Sequence, residues 1–210
     1  YDFSVDYTVN KNQKANLTVI LFYSLIAMVT TYGIFPGVET VSFIQANLTN
    51  IGARVNIVPL KKSRFLIAGI IVALMLNLFS NGVLLIFIKY ILKIDLFTEV
   101  KYSTIFILLG NLFGISLGIF IGASNKKNSF VKTMLGIGIT LFLSFLSGMM
   151  GLWINVIIDK NIPILARLNP ISIISNNLYR VNLLENTQTV GEGIVALLVY
   201  CTLLNAISYI

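Results

Sequence analysis

Charged side chains fall in short clusters along this chain, separated by long stretches that are almost wholly apolar. Residues 17–44 carry no charge before Glu39, and 65–88, 102–123 and 133–158 carry none at all. A fifth apolar stretch, 193–210, runs for 18 residues. A bilayer-crossing helix needs about 20 apolar residues at 1.5 Å of rise each. The pattern therefore predicts five crossing helices over these ranges. The runs are too long for soluble strands and lack the alternation of an outer-membrane barrel. The expected architecture is all-α: a polytopic integral membrane helical bundle, one transmembrane domain over 1–210.

Two intervening segments carry a pattern of their own. Over 47–58, Ile51, Val55 and Val58 recur at i, i+4 and i+7 and share one helical face, while Asn50, Arg54 and Asn56 point elsewhere. Thr49 or Asn50 can cap this helix and Pro59 stops it. Two readings fit a short amphipathic helix beside two spans: docking into a partner's groove, or lying on lipid headgroups with Lys61, Lys62 and Arg64 as a basic anchor. The second segment, 159–192, is too apolar for a free loop and is divided by Pro163 and Pro170. Its apolar runs are too short to cross, which suits a re-entrant or interfacial hairpin over 162–185.

Within the spans, Gly110, Gly114, Gly118 and Gly122 form one flat ridge at four-residue spacing, where another backbone can approach closely. Internal packing is the expected use. Asn77 and Asn81 share a face of the second span, and Ser144, Ser147 and Asn155 lie in the fourth. Such groups either bond to neighbouring helices or, less commonly, line a pathway. Pro36-Gly37 should kink the first span beside Glu39, whose carboxylate is expected at headgroup level.

Composition narrows the function. Hydrophobic residues make up 57% of the chain and charged residues 11%, against roughly 25% charged in a soluble domain. Mean hydropathy is +0.89. The absence of His removes histidine-based triads and zinc motifs, and the single Cys201 cannot close an internal disulfide. No Gly-Lys dipeptide occurs, and Gly122-Ala-Ser-Asn-Lys-Lys127 lacks the second glycine of a phosphate-binding loop. No charge sits in the middle of any predicted span, whereas ion-driven carriers use one as a coupling site.

The net charge of +7 is spread between apolar runs rather than gathered in a stripe, so nucleic acid is not an expected partner. Lys and Arg number seven in the two short segments 46–64 and 124–132, against eight spread over the remaining loops. That density places the two short segments in the cytoplasm. Residues 1–16 then lie outside, and the sequence reads as part of a longer protein whose first helix would precede Tyr1.

Three stretches resemble the membrane subunit of ABC-2-type ABC transporters. Arg54 and Pro59, followed by Lys61–Arg64 and Phe65-Leu-Ile-Ala-Gly69, are similar to that family's cytoplasmic loop and third helix. Phe145-Leu-Ser-Gly-Met-Met150 looks like its fifth-helix signature. Leu168-Asn-Pro170 with Tyr179-Arg180 is similar to the following outer-leaflet hairpin. The resemblance implies a type V exporter transmembrane domain in the cytoplasmic membrane, paired with a second permease subunit as a homo- or heterodimer. Each permease would bind a separate ABC ATPase that carries ATP and Mg²⁺, so this chain would bind no cofactor of its own. Ile51, Arg54, Val55, Val58 and Pro59 would form the coupling helix, and the cargo would be lipophilic or amphipathic: a drug, an antimicrobial peptide or a lipid-linked molecule. A secondary carrier or channel, a membrane enzyme and a non-transporting sensor or scaffold are the competing classes. The missing coupling charges count against a carrier. The missing His and paired acids count against an enzyme.

Overall fold

A computed structural model of the chain describes residues 17–58, 61–125 and 127–209. Among them are ten α-helices and no strand. Five helical stretches are long and apolar enough to cross a membrane. The first is made by α1 (Leu17–Thr31) and α2 (Ile34–Ser42) together. The second is α4 (Lys62–Ile86), prolonged by a π-helical turn over Phe87–Ile91. The third, fourth and fifth are α5 (Val100–Ser124), α6 (Ser129–Leu146) and α10 (Val190–Tyr209). The short helix α3 (Asn50–Ile57) lies between the first two spans. The helices α7 (Leu152–Asn161), α8 (Pro163–Leu168) and α9 (Pro170–Leu183) lie between the last two.

The first span is interrupted one turn earlier than its Pro36-Gly37 pair suggests, at Tyr32 and Gly33. The cause is the proline all the same. A proline ring collides with the carbonyl four residues before it and offers no N–H to bond it, and that carbonyl belongs to Tyr32. The carbonyl of Thr30 loses its helical donor at the break, and Asn77 Nδ2, from α4, donates to it at 2.9 Å. Thr30 Oγ1 and Thr31 Oγ1 bond back to Ala27 O at 2.7 Å and Met28 O at 2.6 Å.

α5 is the most buried span, and its glycine ridge faces this interruption. A Cβ on Gly114 would lie 2.5 Å from Thr31 O, and one on Gly118 would lie 2.3 Å from Ile34 O. On Gly110 it would meet the Thr30 side chain, and on Gly122 that of Val41. All four glycines therefore pack within the chain, backbone against backbone at the two central positions.

The fourth span does not extend over 133–158. It ends at Leu146, because Gly148 takes a left-handed φ of 89°, the conformation in which helices commonly terminate on glycine. Hydropathy missed the stop because Met149, Met150, Leu152 and Trp153 continue the apolar run. The chain then resumes as α7. The predicted hairpin segment becomes two helices of unequal weight, the six-residue α8 and the buried α9.

α9 is fastened at both ends. Asn169 caps its start, accepting from Ile171 N at 3.0 Å and donating to Leu143 O of α6 at 2.7 Å. Near its end, Asn182 Oδ1 accepts from Thr98 N and Glu99 N, and its Nδ2 donates to Ser103 Oγ at 2.8 Å. Between these ties, Ile171, Ile174, Leu178 and Val181 are fully buried and join Tyr23, Ile26 and Phe106 in the main core. The outer faces of α4, α6 and α10 expose Met75, Phe79, Phe142 and Val195, as lipid-facing or subunit-facing surfaces do.

The glycine contact yields a direct test. Gly118→Leu should destabilise the protein by about 3 kcal/mol through overpacking, read as loss of thermal stability in detergent. Gly138→Leu should leave it unchanged, since nothing lies within 4 Å of a Cβ there.

Candidate functional site

The residues that sequence reasoning singles out around α3 are held by a network rooted in the spans. Thr49 caps α3: its backbone is extended, and its Oγ1 accepts from Gly52 N at 2.9 Å. The same hydroxyl donates to Ser42 O, the last residue of α2, at 3.2 Å. Asn56 Nδ2 donates to Ile44 O and to Gly52 O, both at 2.7 Å. Gly52 has to be glycine, since a Cβ would lie 2.3 Å from Gln45 O. The helix is thus bound tightly to the strand of backbone leaving α2.

That backbone is in turn locked to the ends of α5 and α6. Gln45 Nε2 donates to Gly122 O at 3.2 Å. Lys132 Nζ donates to Gln45 Oε1 and to Gly122 O, both at 2.7 Å. Lys132 is completely buried. Its ammonium meets the last turn of α5, where unbonded carbonyls and the helix dipole present partial negative charge. A buried cation needs hydrogen-bond partners, and two oxygens from two elements take two of its three N–H donors. One ammonium therefore joins α6, α5 and the α2–α3 connection.

The sequence pattern counts Lys132 among the basic residues of the segment 124–132. It lies on α6, inside the protein. Its signal was a lysine entering an apolar helix without an acid nearby, and Gln45 was the amide that ends the first span. Both escaped notice because the positive-inside count treats every loop cation alike.

The amphipathic face is also revised. Val55 is buried against the rest of the chain, whereas Ile51 and Val58 are each about half exposed at 49% and Ile57 is exposed at 84%. Val58 has left the helix and is extended. Gly52 and Val55 form the inward side of α3, so Val55 does not share an outward face with Ile51 and Val58. The surface α3 offers is Ile51, Arg54, Ile57 and Val58. Pro59 lies outside the described residues.

The residues considered for a pathway are mostly spent on packing. Asn77 bonds Thr30 O, as described above. Asn81 Nδ2 donates to Asn77 O at 2.8 Å and to Asn111 Oδ1 at 3.0 Å. Ser144 Oγ donates to Thr140 O at 2.7 Å, and Ser147 Oγ lies 2.9 Å from Ser175 Oγ of α9. All four are buried. Asn155 sits on α7, and its side chain is outside the described residues. Glu39 is exposed beside Pro36 and Phe65 in an apolar groove between α2 and α4. Among the described residues, no three of His, Cys, Asp or Glu come together as a metal site requires.

A family model described as "ABC-2 family transporter protein" matches residues 2–210. No curated protein and no solved structure matches the chain.

The buried ammonium makes a prediction. Lys132→Met leaves Gln45 Oε1 without a donor and Gly122 O with Gln45 Nε2 alone, and should cost about 1–3 kcal/mol, measured as a lower unfolding temperature. Gln45→Glu keeps an acceptor for Lys132 and adds an opposite charge but loses the bond from Nε2 to Gly122 O, so its stability should fall between the parent and Gln45→Leu.

Proposed function

Since the chain belongs to the ABC-2 transporter family, which its family match shows from end to end, we propose that it is a permease subunit driven by a separate ABC ATPase. The carrying observation is the arrangement at α3. One side of that helix is clamped to α2, α5 and α6 through Thr49, Asn56, Gln45 and Lys132. The other side presents Ile51, Arg54, Ile57 and Val58. A helix held this way transmits displacement, because its position cannot change without moving the ends of three spans. On this reading α3 is the coupling helix, seated in the ATPase on the cytoplasmic side. ATP and Mg²⁺ bind there, in keeping with a chain that lacks a phosphate-binding loop.

Several further parts of the reading rest on the family. Two permease subunits pair, using part of the exposed apolar surface of α4, α6 or α10. The hairpin is α8 with α9, entering from the outer side and returning, with the end of α9 outside beside Glu185. Cargo moves outward across the cytoplasmic membrane. The absence of charge in the middle of the spans favours a lipophilic or amphipathic cargo, such as a drug, a peptide or a lipid-linked molecule. That same absence weighs against an ion-driven carrier.

The decisive experiment reconstitutes the permease with its ATPase and changes the exposed side of α3. Ile57→Asp together with Val58→Asp should reduce cargo-stimulated ATP hydrolysis at least about tenfold, because a charge set into an apolar contact costs more than 1.4 kcal/mol. Thermal stability should stay within about 0.5 kcal/mol of the parent, as for other exposed positions. Full stimulation in the double variant, with the ATPase still bound, refutes this assignment of α3.

A further inference from the structure

At the end of the bundle away from α3, between α8, α9 and α10, lies an open cavity that the network around α3 does not use. One wall is a face of α9 bearing Ile173, Asn177 and Arg180 at i, i+4 and i+7. The facing wall is the first turn of α10 with Thr189 and Glu192, and Arg167 at the end of α8 closes a third side. The volume is about 540 Å³, ample for a phosphate-bearing headgroup. We propose that this cavity binds the phosphate group of an anionic amphiphile.

Charge is the first argument. Two guanidinium groups from separate helices line one cavity against a single carboxylate, Glu192. Among the described residues, neither Arg167 nor Arg180 has a carboxylate or a side-chain hydrogen-bond partner within the chain. Two arginines against one acid leave the cavity with a net positive charge, which a phosphate offsets. Arginine suits it, since its planar fork bonds phosphate oxygens in pairs. Glu192 also serves the start of α10, where the helix dipole favours an acid, and it offsets one of the two arginines.

Rigidity is the second. Thr189 Oγ1 donates to Asn177 Oδ1 at 3.1 Å, and Asn177 Nδ2 donates to Ile173 O at 2.8 Å. Asn177 is therefore a strut between the two walls. A Cβ on Gly193 would lie 2.6 Å from its amide nitrogen, so α9 and α10 are in close contact beneath the cavity. The walls are fixed before a ligand arrives, which lowers the cost of binding.

The surroundings supply the apolar half. Directly along α10 from Glu192, Val195 and Val199 are exposed at 60% and 48%, and on α8 Ile164 and Leu168 are exposed at 69% and 57%. A molecule with its phosphate between the arginines can lay acyl chains over these residues. Free phosphate would use the arginines and leave the apolar surface bare.

This proposal stands on the cavity alone and does not depend on the transport reading. The full chain, purified in detergent, is titrated with dioctanoyl phosphatidylglycerol, with dioctanoylglycerol and with inorganic phosphate, and binding is read directly without any activity assay. Phosphatidylglycerol should bind, and dioctanoylglycerol should not. Arg167→Gln and Arg180→Gln should each weaken phosphatidylglycerol about tenfold, as loss of a charge-assisted hydrogen bond does, and Glu192→Gln should strengthen it. Lys101→Gln, a cation of the neighbouring α5 outside the cavity, should change nothing. Weak binding of inorganic phosphate identifies a lipid as the source. Binding of inorganic phosphate as tight as that of the lipid, lost with the same arginines, keeps the phosphate site but overturns the amphiphile. Equal binding of dioctanoylglycerol, or an unchanged affinity in the Arg167→Gln/Arg180→Gln variant, overturns the proposal as a whole.

Discussion

The contact on which the rest of the bundle depends is that of two backbones, the interrupted first span against the glycine ridge of α5. An interruption at membrane depth exposes carbonyls that hydrocarbon cannot satisfy. This protein places the break against a helix that has no side chains at the point of contact, and then brings in Asn77 from α4 to donate to Thr30 O. Three spans are fixed relative to one another by this arrangement. With α5 so placed, α9 can dock on its N-terminal half, and Lys132 can reach the carbonyl of Gly122 near its C-terminal end.

The polar side chains of the spans follow the same logic. Asn77, Asn81 and Asn111 form a run of amides between α4, α1 and α5, and each donates to a backbone or side-chain oxygen. In water such bonds add little. In lipid the alternative is an unpaired group, and the bonds specify which helix lies beside which. Asn182 and Asn169 do the same for α9, one at each end. Lys132 is the charged member of this set, and its burial distinguishes it from the exposed cations around it.

Hydropathy made the number of spans legible, and four-residue glycine spacing showed which face of α5 would meet a backbone. Both signals are long-range averages over chemistry that lipid enforces. The failures were local. The stop at Gly148 depends on a single left-handed residue inside an apolar run, which no hydropathy window resolves. The break at Tyr32 was visible as Pro36 but displaced by the four-residue reach of a helical hydrogen bond. On α3, periodicity grouped Val55 with Ile51 and Val58. It could not show that Gly52, one turn of contact against Gln45 O, would rotate the Val55 side inward. Lys132 and Gln45 are 87 residues apart in sequence, a pairing that only the folded chain displays.

The interruption at Tyr32 and Gly33 also has a geometric meaning. An unbroken helix from Leu17 to Ser42 would be one straight rod, and straight helices cross at an angle and touch over a short length. Broken, it becomes two rods, each seated separately on α5. Thr30 and Thr31 at the end of α1 meet Gly110 and Gly114, and Ile34 and Gly37 of α2 meet Gly118. At 1.5 Å per residue, the nine residues of α2 add about 13 Å to this contact. The break thus turns a crossing point into a seam.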